Sequence, residues 1–124
     1  MAVAVKSSGV STPFSIRIID ASDLEHTGLS DFISSSTTVY TMDLDNADVG
    51  NVVYFKVYDS TGPTYGTTDP SLMIKIPAST RQVWSVAQGL GLSNGLSIMA
   101  SAASGPTATI PHGSSSFNCS LVVS

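Results

Sequence analysis

Several short constellations in this 124-residue chain bring together side chains able to do chemistry. Gly91-Leu92-Ser93-Asn94-Gly95 has the G-x-S-x-G spacing of a nucleophile elbow. There, a strained strand-to-helix turn lifts a serine hydroxyl toward an acid and a histidine further along the chain. Here strand formers follow Gly95, and no Asp or Glu occurs after Ser93. The stretch reads instead as a hairpin turn in which Asn94-Gly95 takes positive φ. Asp43, Asp45, Asn46 and Asp48 offer the oxygen ligands that calcium favours. Ala47 breaks the spacing, however, and no Glu closes the loop. Asp43 and Asp45 are expected on the wet face of a strand. Asn46 and Asp48 are expected in a turn, bonded to their own backbone.

His26 and His112 stand in separate loops without a flanking ligand pattern. Cys119 is the sole cysteine, so no internal disulfide can form. It shares a strand face with Phe117, Leu121 and Val123 and is expected to be a buried small apolar residue. No catalytic, cofactor or metal site is expected, and no acid–base or nucleophile constellation supports an enzyme. Aromatic residues offer binding instead. Tyr54, Lys56 and Tyr58 share one face of a strand, with Lys56 marking it as the wetter face. Tyrosine is enriched where subunits meet, so Tyr54, Lys56, Tyr58 and Tyr65 are the candidate partner-contact residues. The alternative is a carbohydrate-binding module that stacks sugars on Tyr54, Tyr58 and Tyr65. Trp84 shares a face with Val86 and is expected in the core.

The charges are divided unevenly. All nine acids and three of the five bases lie at or before Asp69, and only Lys75 and Arg81 follow. The two parts carry −6 (three bases, nine acids) and +2 (two bases), which sum to the net −4. Free surfaces usually rely on charge for solubility. The second half is therefore expected to pack into a core and against other subunits. The bases are scattered rather than striped, which argues against nucleic acid as a partner. No run of about 18 apolar residues occurs, so no membrane span is expected. Met1–Lys6 lacks the length and leading positive charge of a signal peptide, and none is expected.

Helix formers are scarce, with one Glu and two Gln, whereas Val, Ile, Thr, Tyr and Phe dominate the apolar runs. Residues 1–13 read as an extended arm and residues 14–124 as a single domain. Strands are expected over 14–19, 37–45, 51–58, 71–76, 80–86, 96–101 and 117–123. A polar connection over 20–36 has room for a short helix near Asp23–His26. About seven strands at this spacing predict an all-β, antiparallel, jelly-roll-like sandwich. The expected inward set is Ile16, Tyr40, Met42, Leu44, Val53, Phe55, Val57, Leu72, Ile74, Trp84, Val86, Leu96, Ile98, Phe117, Cys119 and Leu121.

Val39-Tyr40 with Asp45-Asn46, then Val53-Tyr54-Phe55-Lys56-Val57-Tyr58-Asp59, open a series of short motifs. Gly66-Thr67-Thr68-Asp69-Pro70, Ile76-Pro77-Ala78 and Gly95-Leu96-Ser97 follow in order. Together they resemble a family of small β-sandwich virion structural proteins of tailed bacteriophages, cyanophages among them. The resemblance covers roughly residues 38–123. It is similar to head decoration (cement) proteins and to neck or tail components. It implies a non-catalytic structural role in the virion, assembly in the host cytoplasm, and partners among the major capsid protein or other virion subunits. A homotrimer or ring component is the expected assembly state.

Overall fold

Short runs of alternating or continuous apolar residues between Gly, Pro, Asn and Asp dictate strands rather than helices. The computed structural model describes residues 4–9, 17–47, 49–113 and 116–124. Among them are nine strands: β1 (Ala4–Gly9), β2 (Arg17–Ser22), β3 (Leu29–Ile33), β4 (Thr37–Asn46), β5 (Val53–Tyr58), β6 (Leu72–Ile76), β7 (Thr80–Leu92), β8 (Leu96–Ser101) and β9 (Asn118–Val123). No helix occurs among the described residues.

Each of the seven expected strands has a counterpart, and two more appear. Within the expected arm, β1 pairs antiparallel with β2 from Ala4↔Ser22 to Gly9↔Arg17. Residues 1–3 and 10–13 of that arm lie outside the described residues. So do 14–16 of the expected first strand, Ile16 included. The expected polar connection over 20–36 holds the end of β2, a turn and β3 rather than a helix. β3 is short and irregular, paired to β8 at Leu29↔Ile98 and Ile33↔Leu96 with a shift between them. Its Ser and Asp content hid it.

The strands form two antiparallel sheets, β1-β2-β9-β4-β7 and β3-β8-β5-β6. The pairing is nested: β2 with β9, β3 with β8, β4 with β7, β5 with β6. This amounts to one long antiparallel ribbon folded into a two-layered β-sandwich. Only the β1–β2 and β5–β6 connections stay within a sheet; every other one crosses between layers. The segment 93–95 is therefore a corner joining the sheets rather than a hairpin turn, and Asn94 does not take positive φ.

The inner faces meet in one core that includes Leu44, Val53, Phe55, Ile76, Leu96, Ile98, Phe117 and Leu121. Phe55 and Phe117 lie 6.2 Å apart between ring centroids. β4 slips phase partway along. Val39 faces Val123 and Thr41 faces Val122, so Tyr40 is an extra residue on β4. Because a one-residue slip reverses faces, Val39 joins Met42 and Leu44 inside. Tyr40, expected in the core, is half-buried. Leu72 is also half-buried. The larger departures from the expected inward set are Trp84 and Val86, which are 47% and 42% exposed.

Candidate functional site

The four expected contact residues do not form a free surface. Lys56 is fully buried. Its Nζ donates to the carbonyl oxygens of Gly105 and Ala108, each at 2.8 Å. Burial pulls the ammonium below the ordinary lysine value. Tyr58 is buried too, its ring edge-on to Tyr65 at 5.2 Å. Burial pushes the Tyr58 hydroxyl up to about 12, with Tyr65 and Asp69 adding to the shift. Tyr65 is half-buried. Its hydroxyl accepts a hydrogen bond from Ser30 Oγ at 2.9 Å, and its ring lies against Gly28. Tyr54 is half-buried on the same face of β5. That face was expected to be wet because its residues are polar. Instead the chain's own loops, 59–71 and 102–113, cover it. Ser97 Oγ donates to Ser60 O at 2.7 Å, and Ser101 Oγ accepts from Ile110 N at 3.1 Å, fastening those loops to β8. Every residue of β8 is buried as a result.

The polar clusters serve the scaffold. Asp59 accepts hydrogen bonds from the backbone N–H groups of Asn94 at 2.7 Å and Ser93 at 3.1 Å. These bonds, Asn94's foremost and Gly95's among them, hold its carboxyl below the usual range. Asp59 thus pins the 93–95 corner. Asn46 was expected to bond its own turn. It is instead buried, and Nδ2 reaches Asn51 O (3.0 Å), Ile76 O (3.3 Å) and Pro77 O (2.9 Å), tying two corners together. Asp48 lies outside the described residues. His112 is buried against Phe117, with Nε2 2.8 Å from Leu24 O. Cys119 is buried as expected, and burial pushes its thiol up to about 12.

Among the open surfaces of the described residues, two bear on function. Asp20, Asp43, Asp45 and Arg81 line a shallow depression of about 270 Å³ on the outer face of the five-stranded sheet. Arg81 pairs with Asp43, Nε to Oδ1 at 2.8 Å, and that bond holds the Asp43 carboxyl below the usual range. The second surface lies at the sandwich rim between β6 and β7. Met42, Leu72, Met73, Ile74, Trp84 and Val86 line a groove of about 440 Å³, with Lys75 alongside. Trp84 pairs with the buried Met42 across β4 and β7 and so points to the inner side of its sheet. It stays exposed because β7 is an edge strand and the facing sheet stops at β6. Its Nε1–H donates to Gln82 Oε1 at 3.2 Å. Val83, on the opposite face of β7, is 60% exposed. Adjacent apolar residues at 83 and 84 face opposite sides of a strand. That was the available sequence signal: one sheet cannot bury both faces of its edge strand unaided.

Comparison with protein-family models, curated proteins and solved structures returns no match.

Proposed function

We propose that this chain is a non-catalytic structural protein of a tailed-bacteriophage virion, most simply a capsid decoration or cement protein. It would be assembled with other virion subunits in the host cytoplasm, and a neck or tail position is the second placement. The observation that carries this reading is the apolar rim of β6 and β7. A small acidic chain presents exposed Met73, Val83, Trp84 and Val86 in the half that has almost no charge. Clustered exposed apolar residues mark interaction surfaces, and repeated modest contacts sum to firm attachment on a symmetric shell. The resemblance of residues 38–123 to small virion proteins supports the same reading. The carbohydrate alternative has lost ground, because Tyr58 is buried and Tyr54 and Tyr65 are half-buried.

The test is co-sedimentation of the purified chain with phage heads that lack their decoration protein, alongside isolated tails. Saturable attachment to heads is expected, with heads then surviving heat or low salt that opens bare ones. Attachment to tails alone moves the assignment to the neck or tail. Attachment to neither defeats the virion reading.

A further inference from the structure

The free edge of β7 supports an inference about the same rim that carries the virion reading, with a second copy of this chain as the subunit that covers it. A sheet edge exposes unpaired N–H and C=O groups, and proteins guard it with charge, proline, shortness or a bulge. The four edge strands here are β1, β7, β3 and β6. Three of them are five or six residues long, and each has a charged residue in its run: Lys6, Asp31 or Lys75. β7 has 13 residues, and Gln82–Leu92 contains no charge. Its one ion, Arg81, is engaged by Asp43. A bulge breaks the register with β4 only beyond Ser85, so Thr80–Ser85 run regularly against Asn46–Thr41. Apart from the ion-paired Arg81, the usual defences are missing along that segment, and the apolar groove opens beside it.

Charge decides the occupant. A neutral edge offers nothing complementary to a charged foreign strand, whereas a second copy brings an equally neutral edge. An isologous two-fold contact matches a surface to itself. With the axis at Val83, antiparallel pairing sets Val83 opposite Val83 of the second copy. Gln82 then faces Trp84 of that copy, and Arg81 faces its Ser85. No like charges meet. An axis perpendicular to the sheet keeps both inner faces on one side, so the two grooves adjoin across the seam. The two Trp84 rings become diagonal neighbours, within reach of aromatic side chains.

We propose that β7 pairs antiparallel with β7 of a second copy about a two-fold axis at Val83, joining the two five-stranded sheets into one and covering both apolar grooves.

Native mass of the full chain tests this directly. Light scattering behind size exclusion is expected to give twice 12.8 kDa. Val83→Lys places two cations face to face at the axis, where like charges oppose pairing. It is expected to run as a monomer with an unchanged circular dichroism spectrum, because Val83 is exposed. Val83→Glu is expected to behave likewise, and mixing the two variants is expected to restore the dimer. That rescue shows both that each variant folds and that position 83 meets its own copy. A monomeric wild type, an oligomer whose mass Val83→Lys leaves unchanged, or failure of the Lys and Glu variants to pair would overturn the proposal. Loss of head binding with the dimer intact would instead count against the virion reading alone.

Discussion

Among single residues, Lys56 departs furthest from its sequence appearance. A lysine amid tyrosines suggests a solvated face, yet its ammonium is fully buried and fastens the 102–113 loop through two carbonyls. Lys56→Met keeps the bulk and removes both donors. It is expected to destabilise the fold by about 1–3 kcal/mol, the range for leaving buried polar groups unmet. Denaturant unfolding would measure the loss, and limited proteolysis should cut first between residues 102 and 113. Unchanged stability would mean that the cost of burying the charge cancels the two bonds. Asp59 makes a prediction about pH. Its carboxyl titrates lower in the fold than the ordinary 3.8, because backbone N–H groups stabilise the charged form. Its contribution is therefore complete above that ordinary value and is lost as pH falls through the lowered one. Asp59→Asn should flatten the dependence of unfolding free energy on pH below about 4. An unaltered acid limb would show that the corner holds without this charge.

At the scale of elements, Gly89 decides the course of β7. It has φ +78°, and a Cβ there would collide with Thr38 Cγ2 and meet the Tyr40 ring at 3.0 Å. This is the bulge where β4 and β7 change register: Val39 faces Leu90, but Thr41 faces Ser85. Gly89→Ala is expected to cost about 1–3 kcal/mol for the backbone conformation alone, and more for the clash. Its melting temperature should therefore fall well below that of Gly91→Ala, where a Cβ meets nothing within 4 Å. Equal losses at the two positions would discount the bulge. Such elements also show what one sequence discloses. Seven of the nine described strands were legible because alternation and turn residues are local. The phase slip at Tyr40 was not, since a bulge is set by the partner strand. The covering of Lys56 was equally hidden, because it depends on a loop about 50 positions away folding back, and that of Tyr58 depends on Tyr65 turning back over it. Trp84 was placed on the correct side of its strand, but its exposure depends on where the facing sheet ends.

For the whole molecule, the nested wrapping governs how the fold is reached. β2 and β9 pair although almost the whole chain separates them, with Arg17 opposite Val123. Folds dominated by such distant pairings reach the native state slowly, in milliseconds to seconds. Stopped-flow refolding followed by far-ultraviolet circular dichroism is expected to show its main phase in that range, and a microsecond main phase would contradict it. β9 occupies the slot between β2 and β4, yet it follows the other eight described strands in the chain. Until it emerges, the larger sheet lacks its middle member, and β2 and β4 each have an open side. Translation must therefore run through to β9 before the larger layer can close, so a nascent chain stalled in the 102–117 stretch would carry two unsatisfied strands rather than a smaller stable fold.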